Sequence, residues 1–426
     1  MANESDLQLR GLSARSRPKV AAFIPALEHV NQNFVIGESV DVDMALGENW
    51  LIRKPLIEIF KKAMKDWNGE NLSYPTGMGG PEKLLSAASS FFNTFFNPGI
   101  SIMPEHVVTF TGASTALDSV LYAVCDEGDS IIIPSPFWGG YVLYTKFRVN
   151  VNIVTTASLP WSSALQIVEN VRTAYANAPE PERIKALLMT NPHNPIGCCY
   201  PESILRELMA FCEEKEIHYI SDEIFAMTAF SDKEEEKFIS ALSLVNTNEA
   251  STISPSRVHV LYSLSKDFGA AGLRMGFLVS PQNRALLSAS LLANYMQIST
   301  ASSLLTVSLF TSPELPSLLQ SLKARLINNH ALLASSFEKW NIKYLPTTAG
   351  FHVFAKLAPD AKTWEDEKEV VDRLLEGGVF VVAGRGFGGV DGEVGWIRVA
   401  FSVEESLLRE GLRRMGTILR LEKEVA

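Results

Sequence analysis

The sequence predicts an α/β protein, in which a large domain built on a mostly parallel sheet between helices is followed by a smaller α+β domain. Between about residues 105 and 280, short β-rich runs alternate with helical stretches. Continuous apolar strands separated by helices are typical of parallel sheets that are covered on both faces. The chain, at 426 residues, is also too long for one small core, which favours two domains.

The alternating region contains five strands in order, each recognised by a run of β-branched or apolar residues: HVVTF, DSIIIP, IKALLMT, IHYISDE and VHVLYSL. Helical stretches such as STALDSVLYAVCDEG and PESILRELMAFCEEKE separate them. After about residue 315, a long helical region leads into AGFHVFAKL, GGVFVVAG and GWIRVAFS, and a final helix follows. We expect residues 1–54 to join the small domain, residues 55–314 to form the large domain and residues 315–426 to form the small one.

Composition and charge exclude several classes of function. The net charge of −10 argues against a nucleic-acid partner, because phosphate binding needs a basic face. The N-terminus lacks the apolar core of a secretory signal, and no run reaches the roughly 18 apolar residues that cross a bilayer. Four cysteines without metal-ligand spacing, and the absence of an H-E-x-x-H motif, fit a reducing compartment and predict no metal site. We therefore expect a cytoplasmic protein that binds neither membranes nor metals.

Each of the five strands ends in a short polar signature. If the sheet is parallel, these signatures meet at one edge, where ligands of such sheets bind. The five signatures are TGASTAL (111–117), SPFWGGY (135–141), NPHNPIG (191–197), SDEIF (221–225) and SLSKDFGAAGLRMG (263–276).

The first and last signatures predict an anion site, and a phosphate suits it. Small residues at a helix start offer backbone N–H groups and the positive end of the helix dipole. Hydroxyls and a bidentate guanidinium further along the chain would bind the same anion. The candidate residues are Ala113, Ser114, Thr115, Ser263, Ser265 and Arg274.

The remaining signatures predict an aromatic ligand that carries an aldehyde. Trp138 can stack on a flat ring. Asp222, at a buried strand end, needs a cationic partner such as a protonated ring nitrogen. Lys266 supplies an amine that can form a Schiff base. Phosphate, ring, ring nitrogen and aldehyde together describe pyridoxal 5'-phosphate.

With these motifs the chain resembles the fold-type I pyridoxal-phosphate enzymes of the class I/II aminotransferase family. It is most similar to the branch of the 1-aminocyclopropane-1-carboxylate (ACC) synthases. The resemblance runs from LGENW (46–50) through YPTGMGGPEKL (74–84) to GWIRVAFS (395–402). It implies a seven-stranded, mostly parallel sheet in the large domain, an enzyme of amino-acid metabolism or biosynthesis, and a homodimer.

The resemblance also implies a role for each site residue. Lys266 would carry the cofactor as a Schiff base and move protons, and Asp222 would hold the pyridine nitrogen protonated. Asn194 would bond the ring oxygen. Arg398 would bind the substrate α-carboxylate, and Tyr74 would reach the neighbouring subunit's site. Trp138 would stack on the ring, and the phosphate would be held by Ala113, Ser114, Thr115, Ser263, Ser265 and Arg274.

Departures from the family pattern bear on the reaction. Phe225 stands where the family usually has a tyrosine that bonds the ring oxygen, and loss of that donor is expected to raise the pKa of the Schiff base. The stretch LLANYMQISTASSLL (291–305) contains no cation, whereas relatives that use dicarboxylic acids place a second arginine there. An acidic substrate side chain is therefore disfavoured.

The expected reaction acts on an α-amino acid through an external aldimine and a quinonoid. Elimination, as in a C–S or other β/γ-lyase or an ACC synthase, is favoured slightly over transamination. The segment YPTGMGGPEKL is more similar to the aminotransferase version, so transamination of a non-dicarboxylic donor stays open. A remote alternative is a non-catalytic regulator that binds the cofactor, but the chain shows no room for a helix-turn-helix domain before LGENW.

Two other motifs fail tests of context. GRGFGG (384–389) is followed by a turn and a strand, whereas a dinucleotide fingerprint opens a helix. GASTA (112–116) resembles a nucleophile elbow, with Asp222 and either His330 or His352 as partners. Neither histidine follows a matching strand-end signature, which disfavours a serine hydrolase.

Overall fold

The computed structural model describes residues 11–22, 42–45, 47–156, 166–246, 253–294, 298–388 and 393–421. Within these ranges, no helix combines the length and the apolar character that crossing a bilayer requires.

A seven-stranded sheet forms the centre of the large domain, as predicted. Its strands lie in the order β2-β8-β7-β6-β5-β3-β4. Neighbours among β3 to β7 pair in parallel, whereas β8 runs antiparallel to both β2 and β7. The strands are β2 (Val107–Phe110), β3 (Ser130–Ile133), β4 (Asn152–Thr155), β5 (Ile184–Thr190), β6 (His218–Asp222), β7 (Val258–Ser263) and β8 (Gly276–Val279).

Helices cover both faces of this sheet because alternate strand residues face opposite sides. On β6, Tyr219 packs into one apolar cluster and Ile220 into the other. The helices of this part of the chain are α1 (Arg53–Ala63), α2 (Glu82–Phe95), α3 (Ala113–Val124), α4 (Tyr141–Lys146), α5 (Gln166–Ala176), α6 (Glu202–Glu214), α7 (Leu264–Asp267), α8 (Arg284–Ala293) and α9 (Thr300–Phe310).

Sequence spacing explains which face each helix buries. In α6, the buried positions recur at helical spacing, so one stripe faces the sheet while charged residues face solvent. Pro201 precedes the helix, where its missing N–H costs no hydrogen bond. The buried positions are Ile204, Leu205, Leu208, Met209, Phe211 and Cys212.

A smaller antiparallel sheet lies in the C-terminal part, in the order β11-β12-β9. Its strands are β9 (His352–Ala355), β11 (Val382–Ala383) and β12 (Ile397–Ala400), and the helices around it are α10 (Leu315–Lys339), α11 (Trp364–Glu376) and α12 (Glu405–Ile418).

The N-terminal stretch contacts this C-terminal part directly. Strand β1 (Val42–Asp43) pairs in parallel with β10 (Val379–Phe380). Of the predicted joining segment, residues 1–10, 23–41 and 46 lie outside the described ranges. The domain boundaries after residues 54 and 314 stay a prediction.

Candidate functional site

A cavity of about 600 Å³ opens at the edge of the large sheet where β2, β3, β5, β6 and β7 end. Every one of the five predicted strand-end signatures contributes to its wall, as does the small sheet. Among the lining residues are Ala113, Ser114, Trp138, Asn194, Asp222, Phe225, Ser263, Ser265, Lys266, Arg274 and Arg398.

Lys266 lies on α7, the short helix that follows β7. The side chain of Ser263 accepts a hydrogen bond from the Ser265 N–H and so caps this helix. The Lys266 Nζ donates to the Gly47 carbonyl oxygen at 2.6 Å. Burial, followed by the positive charge of Arg398, lowers the pKa of the Lys266 amine to about 8. A larger fraction of this amine is therefore unprotonated near neutral pH than for an exposed lysine.

Asp222 ends β6 and is buried in the cavity wall. The Tyr141 hydroxyl donates to its Oδ2 at 2.5 Å, and the Ile224 N–H donates to its Oδ1 at 3.3 Å. Burial raises the pKa of Asp222 to about 6, while the bond from Tyr141 opposes that rise. A cation in the cavity would favour the ionised carboxylate further.

Arg398 reaches the cavity from β12 of the small sheet. Its Nη1 donates to Asn194 Oδ1 at 3.0 Å, and its Nη2 donates to the Ala45 carbonyl oxygen at 2.9 Å. Burial lowers the pKa of its guanidinium to about 10, which leaves the group positively charged at neutral pH. Arg398 is thus an ordered cation that can bind a carboxylate.

One end of the cavity is suited to an anion. Helix α3 begins there at Ala113, directly after Gly112 with φ +96°. Arg274 Nη2 donates to the Thr111 carbonyl oxygen at 3.1 Å, which places the guanidinium against the start of α3. A Cβ on Gly112 would lie 2.5 Å from that Nη2 and would displace it, and the positive φ also favours glycine here. Ser114, Ser263 and Ser265 add hydroxyl groups at this end.

The aromatic residues lie on other parts of the wall. Trp138 packs edge-on against Tyr141, with ring centroids 5.4 Å apart. Phe225 is buried and meets Phe351 and His352 edge-on, at 5.2 and 5.6 Å. Phe225 therefore contributes an apolar ring and no hydroxyl to the cavity.

Two predicted site residues lie away from this cavity. The Thr115 hydroxyl bonds to the Thr111 hydroxyl at 3.1 Å, and its N–H donates to Gly112. The hydroxyl faces back along the chain, because each step along the helix turns the side chain by about 100°, and the N–H is used within the helix. Tyr74 is 97% exposed and contributes nothing to the cavity of its own chain.

Sequence reasoning missed several residues in the wall, of which Tyr141 and His352 matter most here. Tyr141 follows Trp138 at helical spacing within SPFWGGY, a signal that was present in the sequence but unused. His352 lies in the apolar run AGFHVFAKL. The sequence suggested only one role for it, as the histidine of a serine hydrolase, and that class of enzyme is disfavoured. Within the described ranges, no group of three or more His, Cys, Asp or Glu side chains is placed to hold a metal ion.

The residues present fit pyridoxal phosphate. The α3 N-terminus with Arg274 suits a phosphate, and the buried Asp222 carboxylate suits a protonated ring nitrogen. The Lys266 amine, with its lowered pKa, suits an aldehyde.

Comparisons with known proteins agree with this chemistry. The family model described as aminotransferase class I and II matches residues 41–415. The probable aminotransferase aclI of Aspergillus oryzae is 36% identical, over 96% of this chain and 98% of its own length. The probable aminotransferase sirI of Leptosphaeria maculans is 34% identical, with the same coverage. ACC synthase 2 of Arabidopsis thaliana is 27% identical, over 81% of this chain and 70% of its own length.

Solved structures share the fold. Aspartate aminotransferase from Thermus thermophilus with maleate has a TM-score of 0.76 at 24% identity, covering 96% of this chain and 100% of its own. An aromatic aminotransferase from Pyrococcus horikoshii has a TM-score of 0.75 at 19% identity, covering 89% and 96%. The predicted fold, the predicted enzyme class and the predicted cofactor, pyridoxal 5'-phosphate, are confirmed. The chain belongs to the class I and II aminotransferase family of pyridoxal-phosphate enzymes.

Proposed function

We propose that this enzyme removes the Cα proton of an α-amino acid with an uncharged side chain and then eliminates a β- or γ-leaving group, as a lyase does. One observation carries the first half of the proposal. The Lys266 amine, the Asp222 carboxylate and the Arg398 guanidinium line a single cavity. Bound pyridoxal phosphate supplies an aldehyde for amines and a ring that stabilises negative charge at Cα.

The wall residues divide between the cofactor and the substrate. Asp222 would keep the ring nitrogen protonated, Trp138 would stack on the ring and Asn194 would donate through its amide nitrogen to the ring oxygen. Phe225 would contact the ring without a hydrogen bond. The phosphate would be held by Ala113, Ser114, Thr115, Ser263, Ser265 and Arg274, with Thr115 acting through its place in the first turn of α3.

Lys266 and Arg398 act on the substrate. Arg398 binds the α-carboxylate through its two Nη atoms, in exchange for the oxygens of Asn194 and Ala45 that they now contact. Lys266 takes the Cα proton on Nζ. A pKa of about 8 suits this exchange, because a base near the working pH both accepts and returns a proton.

Elimination is supported by Phe225 and by the similarity to ACC synthases. Phe225 supplies an apolar ring and no hydroxyl donor to the oxygen of the cofactor ring, so the pKa of the Schiff base is expected to rise. This change puts ordinary transamination at a disadvantage. In the β-elimination step, Lys266 takes the Cα proton, the Cα–Cβ double bond forms as the bond from Cβ to the leaving group breaks with its electron pair, and the leaving group takes up a proton. Loss of a γ-leaving group requires that a second proton also be removed from Cβ. Water then releases ammonia and an oxo acid. A thiol is one suitable leaving group.

Transamination is the second candidate, because the relatives aclI, sirI and gliI, at 36%, 34% and 34% identity, are named probable aminotransferases. The donor would be non-dicarboxylic, because the stretch 291–305 has no cation; residues 295–297 of it lie outside the described ranges. A non-catalytic regulator that binds the cofactor is a remote third possibility, one the intact set of Lys266, Asp222 and Arg398 disfavours.

We also infer a homodimer with shared sites. Tyr74 is 97% exposed, and the apolar side chains of Leu72 and Met78, two and four positions away in the sequence, are exposed as well. Exposed apolar side chains of this kind favour an interface. In the dimer, Tyr74 would reach the partner's cavity.

The test compares the wild-type chain with Lys266→Ala and with Lys323→Ala, a matched change at an exposed lysine. Wild type and Lys323→Ala should be yellow and turn over, whereas Lys266→Ala should lose turnover. Amino acids are then supplied with or without an oxo-acid acceptor. Ammonia or thiol release without acceptor supports the lyase, and a strict acceptor requirement supports the transaminase. A wild-type protein that cannot be reconstituted with pyridoxal phosphate refutes both.

A further inference from the structure

His352 is a buried histidine in the cavity wall that none of the roles above uses. It lies on β9 opposite Ala400, two positions along β12 from Arg398. Paired residues of antiparallel strands, and residues two apart on one strand, point to the same face. His352 and Arg398 therefore point to the same side of the small sheet, and both line the cavity.

The Nε2 atom of His352 lacks a hydrogen-bond partner among the described residues, although it is buried. The rings that contact the imidazole, Phe351 at 4.6 Å and Phe225 at 5.6 Å, offer no polar atom. By contrast, His259 at the far end of β7 bonds through both ring nitrogens, to His218 and to Ser280. A buried polar atom without a partner calls for an explanation, and an absent ligand is one.

The unpartnered Nε2 faces the reacting end of the cavity. A Cβ on Gly47 would lie 2.9 Å from Lys266 Nζ and 3.4 Å from His352 Nε2. Both atoms thus border the same small volume beside the Gly47 α-carbon. Any group that Lys266 Nζ approaches there is within reach of the imidazole.

The charges around His352 keep the imidazole neutral. Burial, Arg398 and Lys266 all lower its pKa well below the usual value. A neutral imidazole has one N–H and one lone pair, so Nε2 can donate or accept according to tautomer. An uncharged ether or thioether atom can accept from the Nε2–H tautomer, and a hydroxyl group can pair with either tautomer.

We propose that His352 is a specificity-determining residue whose Nε2 hydrogen-bonds an oxygen or sulfur atom near Cα in the substrate side chain. This inference rests on the proposed function, because it takes Lys266 to act at Cα. An atom beside Nζ then lies near the first side-chain atoms of the bound amino acid. The enzyme would select amino acids with an uncharged ether, thioether or hydroxyl group over aliphatic ones of equal size.

The test uses two amino acids of the same shape, O-methyl-L-serine and L-norvaline, which differ in one ether oxygen. Their dissociation constants for the holoenzyme are read from the change in cofactor absorbance, which requires no turnover. We expect wild type to bind O-methyl-L-serine about five- to tenfold more tightly, the effect of one hydrogen bond. In His352→Phe, which keeps a ring against Phe225 and Phe351, the ratio should fall to about one.

Two further variants separate hydrogen bonding from packing. His352→Gln keeps a donor and an acceptor and should retain a several-fold preference. His330→Phe alters a partly buried histidine away from the cavity, one that packs on Phe230 and Phe401, and should keep the wild-type ratio.

A wild-type ratio of one, or an unchanged ratio in His352→Phe, overturns the inference while the proposed function stands. A holoenzyme that binds neither amino acid overturns both. If His352→Phe fails to fold, the wild-type and His352→Gln ratios decide.

Discussion

Replacing Tyr141 with phenylalanine should weaken cofactor binding and move its pH dependence upward. Tyr141 is buried, and its hydroxyl donates to Asp222 Oδ2 at 2.5 Å. The same hydroxyl lies 2.9 Å from Thr190 Oγ1. Because the tyrosine has one proton and gives it to the carboxylate, Thr190 is the donor in that second contact. Phenylalanine keeps the packing against Trp138 and removes only the hydroxyl.

The magnitude follows from the charge on the acceptor. A hydrogen bond to a charged group contributes about 1.5–3 kcal/mol, and about 1.4 kcal/mol is a factor of ten. The ionised form of Asp222 therefore loses about 10- to 100-fold relative to the protonated form. Its pKa, already raised to about 6 by burial, rises further, and only the ionised carboxylate pairs with a protonated ring nitrogen.

The assay is a titration of apoprotein with pyridoxal phosphate across pH, followed by absorbance. In wild type, affinity should fall as pH drops through about 6, where Asp222 takes up a proton. In Tyr141→Phe, the fall should begin at higher pH, and affinity near pH 7 should be about 2- to 15-fold lower, with the full loss of about 10- to 100-fold reached only below about pH 6. Tyr219→Phe is the matched control, because that buried hydroxyl on β6 has no partner among the described residues. A Tyr141→Phe protein with wild-type affinity and pH dependence would falsify the reasoning.

Three more measurements test the site. Gly112→Ala should weaken pyridoxal phosphate binding about tenfold, because its Cβ would meet the Arg274 guanidinium at 2.5 Å. The control is Gly272→Ala, whose Cβ would meet nothing within 4 Å. Equal losses of affinity for the two variants in calorimetric titrations would contradict this. The rate at which apoprotein captures pyridoxal phosphate, followed by stopped-flow absorbance, should rise with pH and level off above about 8, the pKa of Lys266. A rate that keeps rising toward the pKa of an exposed lysine would count against this. Mixing inactive Lys266→Ala and Tyr74→Ala chains should restore about one quarter of wild-type activity, since half of the dimers then carry one intact site; no recovery would argue against shared sites.

The positions of Lys266 and Asp222 could be predicted because they depend on a topological rule. Parallel strands present their carboxyl ends at one edge, so residues that follow separate strands meet whatever their side chains are. Arg398 could not be placed this way. It comes from the small sheet, and only the resemblance to a family singled it out.

The roles of three residues could not be predicted from the sequence, because they depend on side-chain rotation along a helix and on contact partners that the sequence does not reveal. Thr115 was grouped with Ala113 and Ser114, but one further step along α3 turns its hydroxyl back to Thr111. Tyr141 matters through its bond to Asp222, and a long-range contact between the first residue of α4 and the last residue of β6 carries no sequence period. His352 occupies a buried strand position, where a single histidine has the same pattern as a core residue.

Two carbonyl groups only two residues apart hold the side chains of both residues proposed to act on the substrate. The Ala45 oxygen accepts from Arg398, and the Gly47 oxygen accepts from Lys266. These bonds restrict the rotamers of both long side chains, which lowers the rotamer entropy that substrate binding costs. Such preorganisation favours fast, shape-selective capture of an amino acid. It also makes the carbonyl groups of Ala45 and Gly47 a shared support, because a shift of either one would remove a hydrogen bond from the guanidinium or the amine.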